Sequence, residues 1–243
     1  MARSRNKWKK YLVLRKSSRV APHLPKTRKL KKKHFRSMLK KYGSVVVKPV
    51  NGSGGAGVLF VSVRDGGKKY VVQSGAKRKT YSSLKKAYRR VRRATKQKRI
   101  VQRKISLARI KNRPFDLRVM VQRKRGSSDW KVTGKLAKVA GPGYSVTNIR
   151  RSGGKVLPFD TAIRTSNIRD ASVSRIGRRV DRLSLAATRR LRKKYPIRIC
   201  GLDVGLDRGG KAWIIEANFT PDIKLFKKLK DRSMYRKIVK YSR

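Results

Sequence analysis

Apolar side chains along the chain recur with two spacings, every second residue in some stretches and every third or fourth in others. Within residues 1–22, Trp8, Tyr11, Val13 and Leu14 stand among lysines and arginines, and 11–14 reads as a short strand or a docked arm. After a break at Leu24-Pro25, Thr27 opens a predicted helix over 27–41. Leu30, His34, Phe35, Met38 and Leu39 share one face of it, and Tyr42-Gly43 is its stop. Residues 44–49 (SVVVKP) read as a buried strand, and 58–63 and 69–73 as a hairpin around Asp65-Gly66-Gly67. A helix over 81–95, capped by Ser82 or Ser83, turns Leu84, Tyr88 and Val91 inward, and 99–105 is a further strand. Strands over 115–124 and 130–139 flank a polar turn at 125–128. Next come 144–149 with Asn148, a Gly153-Gly154 turn, and an irregular stretch over 161–171. The strongest helical pattern runs over 172–195, with Ile176, Val180, Leu183, Ala187 and Leu191 inward and Pro196 as its stop. A central strand over 197–206 turns at 207–210 and pairs antiparallel with 212–219. From Ile223 onward the chain is short and helical.

Composition adds one imbalance. Of 243 residues, 71 are Lys or Arg and 11 are Asp or Glu, a formal charge of +60. The 38% hydrophobic content suffices for a sizeable core, in one large domain or two small ones. A surface this cationic repels itself and favours polyanionic surroundings: nucleic acid, an acidic polymer or anionic envelope material. One cysteine excludes an internal disulfide framework, and with only two histidines a zinc site is disfavoured. The chain has no run of apolar residues long enough to span a membrane, and its basic N-terminus lacks the apolar segment of a signal peptide. The expected location is the cytoplasm or a polyanion-rich compartment inside the cell.

Every acid but one is an aspartate, and the exception, Glu216, lies in an apolar strand. Alternation puts Glu216 and Asn218 on one side and Ile215 and Ala217 on the other. A hairpin with 197–206 brings Asp203 toward them, giving three oxygen donors suited to a hard cation; a buried Glu–Arg or Glu–Lys pair is the other reading. Lys48 and the loop from Asn51 to Gly57 can wrap phosphate oxygens with backbone amides, although no Gly-Lys-Ser/Thr follows and an ordinary turn has the same composition. Gln102 suits base recognition or a strand edge. Asp116 and Arg118 share a face, Lys138 shares one with Leu136, and His23, His34 and Cys200 read as surface, packing and core residues.

Taken in order, these pieces resemble the ATP-grasp superfamily, and more narrowly the YheC/YheD spore-coat-associated family. The resemblance runs from about Phe35 to Leu229. It is carried by Val47-Lys48-Pro49 with the glycine loop, Phe115-Asp116-Leu117-Arg118, Asn148 with Gly153-Gly154, and Gly201-Leu202-Asp203 followed by Glu216-Ala217-Asn218-Phe219-Thr220-Pro221. It implies an α+β, two-lobed fold with nucleotide between a small glycine-loop lobe and a larger antiparallel-sheet lobe. Residues 1–45 would form a basic arm and helix, 46–103 the small lid lobe and 104–243 the large catalytic lobe.

The resemblance further implies that Lys48 meets the α- and β-phosphates, that Ser53, Gly54, Gly55 and Gly57 form a flap over them, and that Gln102 faces adenine. Arg118 would steady a γ-phosphate or acyl phosphate, with Lys138 near the phosphoryl centre. Asp203, Glu216 and Asn218 would be magnesium ligands. The implied activity is ATP- and Mg²⁺-dependent ligation of a carboxylate to an amine or thiol through an acyl phosphate, in a cytoplasmic or spore-associated protein. The +60 charge adds the expectation of an acidic polymer or peptide substrate. Two other readings stand beside it: a polyanion- or nucleic-acid-binding packaging protein, and a structural spore-associated protein whose ATP site is vestigial.

Overall fold

The computed structural model describes residues 6–52, 54–94, 97–169 and 172–242. The first helix, α1 (Lys7–Arg15), starts at Asn6, whose side-chain oxygen accepts from the Lys9 amide at 2.9 Å. It replaces the strand or arm expected at 11–14. Tyr11 and Leu14, three residues apart, both enter the larger core, a helical spacing too short-ranged to stand out among lysines. Thr27 begins not a helix but strand β1 (Thr27–Lys29), and α2 (Lys32–Tyr42) starts only afterwards. The reason is long-range: β1 pairs antiparallel with a strand some seventy residues on, Thr27 opposite Gln102.

Four strands follow: β2 (Ser44–Pro49), β3 (Leu59–Arg64), β4 (Lys69–Ser74) and β5 (Lys77–Tyr81). Helix α3 (Leu84–Arg93), capped by Ser83, and strand β6 (Arg99–Arg103) complete a six-stranded sheet in the order β1-β6-β2-β3-β4-β5. Residues 95 and 96, the end of the expected helix and the start of its exit, lie outside the described residues. β5 is an element the pattern did not announce, because KRKTY carries no apolar alternation; its backbone pairing with β4 alone defines it. One face of this sheet buries Val45, Val47, Val61 and Val101 against Phe35 and Leu39 of α2 and Val91 of α3. The opposite face carries Lys48, which is paired in register with Ile100.

The second sheet begins with the short β7 (Arg109–Ile110) beside β8 (Arg113–Gln122), which pairs with β9 (Lys131–Val139). After α4 (Ile149–Ser152) come β10 (Lys155–Pro158) and α5 (Phe159–Arg164). Part of the stretch expected to be irregular is thus helical, held by the burial of Phe159, Ala162 and Ile163; residues 170 and 171 lie outside the described residues. The long helix α6 (Val173–Arg192) precedes β11 (Ile199–Leu206) and β12 (Ala212–Asn218), and α7 (Ser233–Ser242) ends the described chain. The main sheet order is β10-β9-β8-β11-β12. α6 lays the predicted Ile176, Val180, Leu183, Ala187 and Leu191 on one face, with Leu117, Val119, Cys200 and Leu202 in the same core. The other face is shared between a C-terminal cap, where Phe226 and Ile238 bury Met120 and Leu136, and an open polar region. The first 45 residues are divided between the two cores: α1 joins the larger one, α2 the smaller.

Asp207 sets the register of the β11–β12 hairpin. Its Oδ1 accepts from the amides of Gly209 (3.1 Å) and Lys211 (3.0 Å), and its Oδ2 from Trp213 Nε1 (2.9 Å). These bonds close the turn so that Asp203 lies directly opposite Glu216, with one bulge between Asp203 and Val204 that leaves Ile215 as the extra residue. We expect Asp207→Ala to cost about 1–3 kcal/mol, because the Trp213 N–H is left buried without its acceptor. Urea unfolding checks this; an unchanged midpoint would show that the turn holds its register without Asp207.

Candidate functional site

The open face of the large sheet carries a row of charged side chains placed by strand register. Lys138 on β9 is opposite Asp116 on β8, Arg118 on β8 is opposite Asp203 on β11, and Asp203 is opposite Glu216 on β12. Residues opposite one another share a face, so the four strands present these groups together. Arg118 Nε and Lys138 Nζ donate to the same oxygen, Asp203 Oδ1, at 3.0 and 2.8 Å. Lys138 Nζ also lies 3.1 Å from Asp116 Oδ1, and Thr147 Oγ1 donates to Asp116 Oδ2 at 2.6 Å. Glycines on this face let neighbouring side chains pack close over the strand. A Cβ at Gly201 would fall 2.4 Å from Pro221 and 3.2 Å from Arg118, and one at Gly205 would strike Leu107 and Ile215. Ile215 thus reaches across Gly205 on the Asp203 side rather than siding with Ala217, because the bulge breaks the expected alternation.

The electrostatics follow from burial. Burial would push the Asp203 carboxyl up, but Arg118 and Lys138 outweigh it and hold the group down at about 2. Asp116 is pushed up to about 6: burial and the Asp203 charge outweigh Lys138. For Lys138, burial is overcome by Asp116 and Asp203, so the ammonium stays charged with a raised pKa.

The small sheet and α1 supply the opposite wall. Lys48 is 5% exposed and donates across the lobes to the Ile215 carbonyl at 3.2 Å. Burial pulls its pKa down to about 8 against the opposing pull of Glu216. From α1, Lys7 Nζ lies 3.4 Å from Glu216 Oε1 and donates to the Gly52 carbonyl at 2.5 Å, while Lys10 donates to the Ala217 carbonyl. Lys7, Lys10, Lys48, Gln102 and Glu216 line one small cavity. Gly54, Gly55 and Gly57 all take positive φ (65°, 73° and 69°), a path that only glycine follows without strain. Their loop meets the large lobe, where Arg151 Nε donates to the Gly54 carbonyl at 3.2 Å. Asn148 caps α4 by accepting from the Arg151 amide at 2.9 Å, and its amide lies beside Gly54. Gln73 adds a second bridge, donating to the Gly143 carbonyl at 2.9 Å and accepting from Ser145 at 3.1 Å.

Of the residues singled out in the sequence, Lys48, Gln102 and Glu216 meet in the cavity and Arg118, Lys138 and Asp203 in the adjoining ion network. Asn218 stands two residues beyond Glu216, opposite Gly201. Gln102 has its amide donated to Thr27 Oγ1 at 2.9 Å. Ser53 lies outside the described residues. His23 and His34 contact backbone carbonyls, of Ala212 at 2.7 Å and Lys29 at 2.8 Å, and Cys200 is buried with its thiol pushed up to about 12 by burial. Sequence reasoning missed Lys7, Lys10 and Thr147 as site residues and left Asp116 without a role. The parity of Asp116 with Arg118 was a usable signal. Nothing local marks Lys7 and Lys10 among 71 cations.

For a divalent cation the donor set is oxygen only: the Asp203 and Glu216 carboxylates and the Asn218 amide. Among the described residues no three of His, Cys, Asp and Glu cluster, so the amide is needed to make a third donor. The Asp203 carboxylate is ionised far below neutral pH, and the residues fit a hard cation such as magnesium.

A two-lobed α+β fold with a glycine loop and a lysine facing a carboxylate hairpin is the architecture of ATP-grasp proteins. The solved structures agree: the VanG D-Ala:D-Ser ligase of Enterococcus faecalis superposes with a TM-score of 0.56 at 12% identity, over 98% of this chain and 61% of that one. D-alanyl-alanine synthetase A of Vibrio cholerae O1 biovar eltor does so at 0.52 and 13%, over 98% and 64%. At these identities the likeness concerns the fold. The family model described as YheC/D like ATP-grasp matches residues 2–243, and the chain belongs to that family. Two relatives from Bacillus subtilis (strain 168) are the endospore coat-associated proteins YheD, 28% identical over 91% of this chain and 49% of its own length, and YheC, 24% identical over 89% and 60%. The chain therefore spans about half the length of the curated relatives it matches.

Asp116 and Asp203 should give stability opposite pH slopes. The folded chain keeps the Asp116 proton up to about pH 6, whereas an unfolded Asp releases it near pH 4, so stability falls across that window, by roughly 2–3 kcal/mol. Asp203 releases its proton near pH 2 when folded, so its contribution is present above about pH 4 and lost as pH falls through 2. Urea titrations at stepped pH should show Asp116→Asn flattening the upper window and leaving the lower slope in place. A decline that persists between pH 4 and 6 would assign the titration to another group.

Proposed function

We propose that this chain binds Mg²⁺–ATP between its lobes and uses it as a carboxylate–amine or carboxylate–thiol ligase, acting through an acyl phosphate on an acidic substrate. The observation that carries the reading is the meeting of Lys48, from the small lobe, with the backbone beside Glu216, itself opposite Asp203. The buried Lys48, with Lys7 and Lys10 next to it, provides positive charge for phosphate oxygens, and the glycine loop offers backbone amides above them. Gln102 serves the base from the same cavity.

Asp203, Glu216 and Asn218 would hold magnesium, which when bound neutralises charge on the phosphates. In the proposed reaction a substrate carboxylate oxygen bonds to the γ-phosphorus as the bond to the bridging oxygen of ADP breaks. An amine or thiol then bonds to the acyl carbon as the acyl carbon–oxygen bond breaks, phosphate leaves, and the nucleophile's proton passes to the departing phosphate or to solvent. Arg118 and Lys138 stay charged although buried, and Asp203 fixes both at one oxygen. They are thus oriented before substrate arrives, which is how charge stabilisation avoids a reorganisation cost. The relatives named as endospore coat-associated support a spore setting for this chain. Among the described residues no helix is long and apolar enough to cross a membrane.

The +60 charge favours a second reading, polyanion or nucleic-acid binding with the ATP site unused. Calorimetry separates the two. ATP should bind in a Mg²⁺-dependent manner, with Glu216→Ala and Lys48→Met each weakening it by about tenfold or more. Equal affinity in the unchanged protein and both variants would overturn the site. The Lys48 pKa of about 8 adds a sign: ATP needs the protonated ammonium, so affinity should fall as pH rises through 8. Lys48→Met should show no such fall; a parallel decline in both proteins would exclude Lys48 as its source.

A further inference from the structure

At the turn end of the β11–β12 hairpin, away from Glu216, a groove of about 1030 Å³ opens between the segment after α1 and one face of α6. Lys16 and Arg19 stand on one wall, Arg182, Arg189 and Lys193 on the other, and Lys211 at the end. Eight of the lining residues are Lys or Arg and, among the described residues, none is Asp or Glu. The single acid of α6, Asp181, lies on the opposite side of the helix and is tied to Lys135 at 2.7 Å, so it compensates none of the groove cations. Beneath the charges the floor is apolar: Leu183, Ala186 and Ala212. Both walls are fixed to the fold, Arg190 Nε donating to the Val13 carbonyl at 3.1 Å and His23 meeting the Ala212 carbonyl at 2.7 Å.

We infer that this groove is a docking site for an acidic polypeptide segment, its carboxylates on the Lys/Arg rim and its apolar side chains on the floor. Guanidinium groups match carboxylates in planar, two-point geometry, and uncompensated cations around a concavity focus the field into it. An apolar floor rewards a ligand that alternates charged and apolar side chains, which a polypeptide does and a phosphodiester backbone does not. Nucleic acid fits less well because, among the described residues, no Phe, Tyr or Trp lines the groove to stack a base, and the one imidazole there, His23, is held at the Ala212 carbonyl. The site is separate from the ATP reading and binds without nucleotide.

The test is fluorescence anisotropy without ATP or magnesium, using a labelled peptide of alternating Glu and Leu. Two comparison probes carry the same charge: an alternating Glu and Ser peptide and a single-stranded DNA oligonucleotide. The groove variant is Arg182→Glu with Arg189→Glu. The control, with the same change in net charge, is Arg89→Glu with Arg92→Glu, on the basic face of α3. Thermal melts establish that both variants fold. The Glu/Leu peptide should bind more tightly than either comparison probe, and its affinity should fall about tenfold or more in the groove variant and less than about threefold in the control. No binding by the peptide, or equal losses in the two variants, overturns the site as a specific surface. DNA that binds at least as tightly and is lost only in the groove variant overturns the choice of occupant.

Discussion

The large lobe depends on one buried carboxylate. Asp203 sits in the middle of a sheet with two cations on a single oxygen, and it helps keep both charged though buried, for Lys138 together with Asp116. A lone ion at that depth costs several kcal/mol, and the ion triad offsets the cost only while its geometry is kept. Register keeps it. β8 and β12 flank β11, so the residues opposite Asp203 are dictated by backbone pairing on both sides, and the Asp207 turn fixes one of those pairings.

The distribution of acids in a chain of charge +60 is consistent with this dependence. Few carboxylates remain on the surface to balance the lysines and arginines. Asp207 closes a turn, Asp231 accepts from Ser233 at 2.8 and 2.6 Å, and Asp65 and Asp129 pair with exposed lysines, while Asp116 and Asp203 hold buried cations. Surface charge is left to repel itself, a penalty that a polyanionic environment would relieve. The groove on α6 is where this uncompensated charge becomes concave rather than merely extensive.

The two lobes meet through polar contacts: Lys48 with Ile215, Gln73 with Gly143, Arg151 with Gly54, and Lys7 with Gly52. These four each involve a backbone carbonyl, while Gln73 with Ser145 and the Arg103 guanidinium over the Trp213 ring join the lobes through side chains. Contacts of this kind form and break at low cost, because water replaces them readily. α1 is the exception in kind. It is packed in the larger core through Tyr11 and Leu14, yet its lysines reach the wall formed by the smaller sheet, so it positions positive charge from one lobe against the other.

What the sequence determined by itself was periodic or ordered. The inward face of α6, the hairpin of β11 and β12, and the approach of Asp203 to Glu216 were all legible, because helical spacing and alternation are local and the hairpin turn is short. The order of Lys48, the glycine loop, Arg118, Asp203 and Glu216 carried the family and hence the fold. Only the tertiary structure decided the rest. β1 and β5 exist through pairing with partners and not through their own pattern; the bulge that moves Ile215 to the other side depends on how two strands fit a core. Lys7 and Lys10 became site residues because a helix packs where their ammonium groups meet Glu216 and the Ala217 carbonyl, some two hundred residues away. In a chain with 71 cations, residue type cannot distinguish a lysine that is desolvated beside an acid from one that stays in water. Burial makes that distinction, and burial is a property of the packed chain.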